Sequence, residues 1–346
     1  MDSARLSRRS LLASATALAA PALCAPGLLA SRAMAAEERF GQALETARSF
    51  DQLHCLIVAH RGETVVEEVL RGPSAGRPVN VKSVSKTIVA ALMGAALDRG
   101  EVPSADATLG EVAPRLVPRD AEPGVAEITL AQLVSMRSGL ERTSGGNYGA
   151  WVSSPNWVAD ALSRPFVAPA GGRMLYSTGN SHVLGAVLAE VTGASLLAQA
   201  RERLGRPLGI EIPPWTQDPQ GRYLGGNQMA LSPRGMLRFG EMVRAGGIWE
   251  GSRVLSEAWI SKSLVPRTRS PWSGLGYGYG WFLGEVPTEA GGGPLAIARG
   301  YGGQIIAVAP GAEMTVAITS DPDRPARSRG YFGDLMGLLG QILAAA

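Results

Sequence analysis

The spacing of hydrophobic positions changes period twice along this chain. Residues 53–59 and 64–70 are two β-rich apolar runs on either side of Arg61-Gly62-Glu63, which predicts a hairpin. Over residues 83–98 the pattern becomes helical. Ile88, Val89, Leu92, Met93, Ala95, Ala96 and Leu97 make that helix apolar almost all round, so it is expected inside a core. Asp98-Arg99-Gly100 closes it, with Gly100 suited to the C′ position. Residues 101–127 are rich in proline and acidic groups and predict mostly loop. Helical spacing resumes over 128–136, with Thr129 as N-cap. Further helices are predicted at 151–162, at about 181–192 and 194–204, and from Ser232-Pro233 to about residue 245. Strand-like runs return at 277–284, 295–299, 304–309 and 314–319. The last two flank Pro310-Gly311-Ala312-Glu313 as a second hairpin, and an apolar helix over 331–345 closes the chain.

Strands therefore lie towards both ends and helices in the middle, with hairpins and no βαβ repeat. The expected fold is mixed α/β (α+β): an antiparallel sheet built from both chain ends, flanked by helices, with a mostly helical insertion. The α/β part is expected over about 40–100 and 250–346 and the helical part over about 101–249, within one domain of residues 36–346.

Composition adds bounds. The 346 residues are 45% hydrophobic and 18% charged, as in a globular protein. A net charge of +3 is too mild and too evenly spread for a nucleic-acid binder. The N-terminus predicts export. Ser7-Arg8-Arg9-Ser10-Leu11-Leu12 has the twin-arginine pattern, an Ala/Leu-rich stretch follows to about Ala30, and Ala33-Met34-Ala35 is a small-x-small cleavage site. A signal peptide of residues 1–35 implies the twin-arginine export machinery as a partner and a periplasmic or secreted product with no membrane anchor after cleavage. Of the two cysteines, Cys24 falls in the signal, so Cys55 remains alone in an apolar run with no intramolecular partner.

Three constellations carry candidate chemistry. The first is Ser83-Val84-Ser85-Lys86, at the head of the core helix. Ser83 and Lys86 are one turn apart on one face, and a lysine there is costly unless paired or lowered in pKa. A lowered lysine beside a serine hydroxyl makes a nucleophile. By itself the pattern also fits an N-cap serine with an exposed lysine. The second is Tyr176-Ser177-Thr178-Gly179-Asn180, a tyrosine followed by a polar loop. The third is Arg299-Gly300-Tyr301-Gly302-Gly303-Gln304, glycines leading into a strand edge, where backbone can approach a ligand closely. No Gly-x-Ser-x-Gly, His-Glu-x-x-His or Cys-x-x-Cys occurs, and the three histidines His54, His60 and His182 are readily explained as structural.

Taken in order, Ser-x-x-Lys, Tyr-Ser-Thr-Gly-Asn and Gly-Tyr-Gly-Gly-Gln resemble the serine β-lactamase and penicillin-binding-protein superfamily. They are most similar to its class C-like branch of esterases and aminohexanoate-dimer hydrolases. The resemblance covers about residues 50–345. It implies Ser83 as acylated nucleophile, with Lys86 and Tyr176 as a proton relay and the backbone N–H groups of Ser83 and Gln304 as oxyanion hole. Thr178, Asn180, Tyr301, Gly302 and Gly303 would contact substrate, and no cofactor is implied. Two positions depart from the family pattern. Thr178 stands where β-lactamases have the Asn of Tyr-x-Asn, and Tyr301 stands where they have a lysine. Without that lysine, a small ester, amide or short peptide-like substrate is favoured over β-lactams or D-alanyl-D-alanine peptides. A non-catalytic ligand-binding domain on the same fold is the remaining alternative.

Overall fold

A computed structural model of the protein describes residues 26–288, 291–326 and 330–345. The twin-arginine pattern and most of the apolar stretch behind it lie outside the described residues. The main sheet contains β1 (Leu53–His60), β2 (Glu63–Val69), β3 (Thr268–Arg269), β4 (Gly276–Tyr277), β5 (Phe282–Thr288), β6 (Gly291–Gly300), β7 (Gln304–Ala309) and β8 (Met314–Ser320). Their order across the sheet is β2-β1-β8-β7-β6-β5-β4-β3, every pair antiparallel. The first hairpin thus meets the last strand, and the two chain ends build one sheet as the sequence predicts.

Helices cover both faces, which is why the central strands are apolar on both sides. Alternate residues serve two separate cores. Ile57, Ala298, Ile306, Val308 and Ala317 point to one side, towards α2 (Val84–Asp98) and α4 (Pro233–Arg244). Leu56, Val58, Ile297, Ile305, Val316 and Ile318 point to the other. There they meet Phe40 and Leu44 of α1 (Pro26–Ser49) and Leu335, Leu338 and Ile342 of α5 (Tyr331–Ala344). Cys55 is buried in β1, where burial pushes its thiol up to about 12 and leaves it inert.

Local differences from the expected elements have local causes. The helix expected over 151–162 is two, Tyr148–Val152 and Trp157–Leu162, because Pro155 breaks the run and Asn156 caps the second by accepting from Ala159 N–H. The 101–127 stretch contains a short helix, Leu109–Val112, held by a Thr108/Glu111 capping box. The strand expected over 277–284 is interrupted between β4 and β5, where Gly280 turns with positive φ. The helix expected from residue 181 starts earlier: α3 (Thr178–Thr192) begins directly after Tyr176 and Ser177.

Candidate active site

Ser83 is the N-cap residue of α2, yet its hydroxyl makes no capping bond. The segment before it is fixed from outside the helix. Val79–Asn80 pairs with Ala230–Leu231, Val81 N–H donates to the Met229 carbonyl at 2.9 Å, and the Asn80 side-chain oxygen accepts from Lys82 N–H at 2.9 Å. Lys82 takes a φ of +49°, an unfavourable conformation for a side chain of its size. This bend leaves the Ser83 hydroxyl at the helix entrance, 3.0 Å from Lys86 Nζ. Ser85, the other serine of the motif, is fully buried; its hydroxyl donates to the Lys82 carbonyl and accepts from Met229 N–H.

Lys86 is 3% exposed, and burial lowers its pKa from the ordinary 10.5 to about 7. Besides Ser83 it contacts Thr178 Oγ1 at 3.1 Å and the Gly226 carbonyl at 2.7 Å. As an ammonium it donates to all three oxygens. As a neutral amine it donates to Gly226 and Thr178 and turns its lone pair to the Ser83 hydroxyl. Its nitrogen also lies 5.0 Å from the ring centre of Tyr176, a cation–π approach. The Tyr176 ring stacks on Phe282 and meets the edge of Tyr277.

The first turn of α3 is capped by another loop rather than by its own N-cap. Thr178 N–H donates to Ser144 Oγ at 2.8 Å and Gly179 N–H to Thr143 Oγ1 at 2.7 Å, while Ser177 Oγ accepts from Thr143 N–H at 3.1 Å. The Gly226 carbonyl is held through His182. Gly225 N–H donates to His182 Nδ1 at 3.2 Å, so that nitrogen carries no proton, and Nε2–H donates to Asp218 Oδ2 at 3.1 Å. His182 is fully buried between the edges of Trp151 and Trp157, and burial lowers its pKa, so it stays neutral. Burial acts to raise the Asp218 carboxyl, but hydrogen bonds from His182 and the Arg222 backbone outweigh it and hold the pKa low. His182→Ala removes a packed ring and leaves Asp218 and Gly225 N–H short of a partner. An expected loss of about 3 kcal/mol of stability is checked by urea unfolding.

The glycine-rich edge reaches the same place from the sheet. Gly300 packs so closely on the Val81 carbonyl that any Cβ there would collide with it, which puts the end of β6 against the segment leading into Ser83. Gln304 is fully buried, its side chain exchanging two hydrogen bonds with the Ser320 backbone, so its side chain anchors the strand. Among the described residues no group of three or more His, Cys, Asp or Glu is placed to hold a metal ion.

The sequence profile of the family described as Beta-lactamase matches residues 54–339 of this chain. The chain belongs to the β-lactamase family. Among curated proteins no sequence match is found. Similar solved structures include one assigned to a 6-aminohexanoate-dimer hydrolase of Bacillus anthracis. It is 19% identical, with 88% of this chain and 81% of that one covered and a TM-score of 0.72. A second is assigned to a β-lactamase of Bacteroides dorei, 17% identical, covering 90% and 98% with a TM-score of 0.70. A third is EstCE1, a hydrolase with promiscuous acyltransferase activity, 17% identical, covering 90% and 99% with a TM-score of 0.70. At these identities the likeness speaks for the fold.

Set against the family's pattern, the departures have clear positions. Thr178 is the second-motif residue beside Lys86. Asn180, further into α3, is 5% exposed and accepts from Ser138 Oγ at 3.1 Å. Tyr301, in the place of the family's lysine, is 54% exposed. Gly302 and Gly303 both have positive φ, and their Cα atoms pack on Asp321 and Tyr331, so the tight turn before β7 accounts for both glycines. Ser144 and the Gly226 carbonyl are site groups that motif reading missed.

Proposed function

We propose that this β-lactamase-family protein is a serine hydrolase that cleaves esters or amides through an acyl-enzyme at Ser83. The observation that carries this reading is Lys86: buried, lowered to about 7 and 3.0 Å from the Ser83 hydroxyl. Neutral Lys86 takes the Ser83 proton as Oγ attacks the substrate carbonyl. Ser83 N–H, which has no protein acceptor among the described residues, receives the developing oxyanion, whereas Gln304 is fully buried in β7 between β6 and β8 and its backbone is left to the sheet. The Tyr176 ring supports the ammonium formed on Lys86, and Tyr176 shares the relay with it. The leaving group departs with a proton, and water then releases the acyl group with Lys86 again as base. The exposed Tyr301 supplies no charge for a substrate carboxylate, which favours neutral esters and amides.

A panel of esters, amides, β-lactams and D-alanyl peptides, run on the wild type and on Ser83→Ala, tests this reading. Ester or amide turnover lost in Ser83→Ala supports it. Turnover confined to β-lactams, or release of D-alanine, would move the protein to the penicillin-recognising enzymes. Tight ligand binding unaltered in Ser83→Ala, with no turnover of any substrate, would make it a binding domain.

The protein is exported folded through the twin-arginine machinery to the periplasm or beyond, on the strength of Arg8-Arg9 and the apolar stretch and small-residue site behind them. Replacing Arg8 and Arg9 together with lysine is expected to hold it in the cytoplasm. Equal periplasmic yield of both forms on cell fractionation would count against this route.

A further inference from the structure

The hydrogen bonds around Thr178 form a chain from Lys86 to a hydroxyl that the acylation scheme above leaves unused. Lys86 Nζ is 3.1 Å from Thr178 Oγ1, which is 3.0 Å from Ser144 Oγ. Ser144 is fixed: its oxygen accepts from Thr178 N–H, and the adjacent Thr143 is tied to Ser177 and Gly179. It also sits at a boundary, with Thr143 buried on one side and Gly145 and Gly146 exposed on the other.

Donor counting fixes the Lys86 end of the chain. Once Lys86 is an ammonium, its three N–H bonds point to Ser83, Thr178 and Gly226. Thr178 Oγ1 then accepts from Lys86, and of the two directions open to the Thr178–Ser144 hydroxyl pair the relay uses the one in which Thr178 donates to Ser144 Oγ. In that arrangement Ser144 Oγ accepts from both the N–H and the hydroxyl of Thr178, which leaves its own proton for another acceptor.

We propose that Ser144 is the proton donor to the leaving group, fed from Lys86 through Thr178. As the carbonyl–leaving-group bond breaks, the leaving heteroatom takes the electron pair and the Ser144 proton. Ser144 is reprotonated by Thr178 and Thr178 by Lys86, which returns to the neutral amine. The net movement is one proton from Ser83 to the leaving group, with the base regenerated for deacylation. In that second step the chain runs in reverse: the attacking water gives its proton to Ser144, and Lys86 returns one to Ser83. The proposal rests on the Ser83/Lys86 reading and adds a catalytic residue to it.

Leaving-group dependence tests it. An alkoxide or amide anion needs a proton to depart and a nitrophenolate does not. With one acyl group carried on p-nitrophenyl and ethyl esters, Ser144→Ala is expected to lower kcat/KM for the ethyl ester at least about 30 times more than for the p-nitrophenyl ester. Ser144→Thr, which keeps a hydroxyl, is expected to recover most of that difference. Ser144→Cys, a weaker donor, gives the same comparison if the alanine variant does not fold. An equal loss on both esters, the mark of a residue that merely caps α3, overturns the proposal. So does a leaving-group-selective loss found in Tyr176→Phe and not in Ser144→Ala. Survival of p-nitrophenyl ester turnover in Ser83→Ala would instead overturn the underlying reading.

Discussion

Ser83→Ala is expected to lower ester or amide turnover by on the order of 10⁴-fold or more while leaving the fold intact. The effect is large because no neighbouring group can replace the lost nucleophile. Ser85 is buried and its hydroxyl is bonded on both sides, to Lys82 and Met229. Ser144 is reached from Lys86 only through Thr178. The fold should tolerate the change, since the Ser83 hydroxyl caps nothing and, among the described residues, its one side-chain hydrogen bond is with Lys86. Steady-state rates, with circular dichroism to verify folding, give the comparison. Residual turnover above about a hundredth of wild type would place the nucleophile elsewhere.

Lys86→Met is expected to lower kcat/KM by about 10²–10⁴-fold and to abolish the acid limb of its pH profile. In the wild type, Lys86 must be neutral to act. The rate should therefore rise about tenfold per pH unit below about 7 and level off above it. A wild-type profile flat from pH 5 to 9, or a limb that persists in the variant, would exclude Lys86 as the base. Stability carries the same titration. The folded-state pKa lies below the unfolded value, so between about 7 and 10.5 the unfolded chain binds more protons than the folded one. Stability contributed by this group therefore rises with pH across that window. Wild type should gain in melting temperature on Lys86→Met as pH rises from 7 to 10, and this comparison reports the buried amine even where activity is undetectable.

Much of the fold was legible because its signals are local. The hairpin at 53–70, the core helix behind Ser83 and the hairpin at 304–320 each follow from a period of two or 3.6 and from turn or cap residues. Breaks within elements were less legible. Pro155 splits a run whose apolar spacing continues across it, and the gap between β4 and β5 depends on a positive φ at Gly280. In the site, the one-turn spacing of Ser83 and Lys86 is a property of the helix itself and was readable. Other parts come from elsewhere in the chain. The Gly226 carbonyl has no side chain to announce it, and its position depends on His182 and Asp218, 36 residues apart. Ser144 meets Thr178 across 34 residues, through a Gly/Ser-rich stretch that by itself predicts only a loop. Asn180 could be placed only once α3 was seen to start at Thr178, which turns Asn180 towards Ser138.

The central claim is that Ser83 forms a covalent bond to the substrate's acyl group. Intact-mass spectrometry after exposure to an aryl phosphonate ester tests it most directly, because the phosphonylated serine mimics the acyl-enzyme but resists hydrolysis. The expected result is one phosphonyl group per wild-type chain, mapped to the peptide containing Ser83 and absent from Ser83→Ala. No adduct on the wild type, or the same adduct on Ser83→Ala, would contradict it.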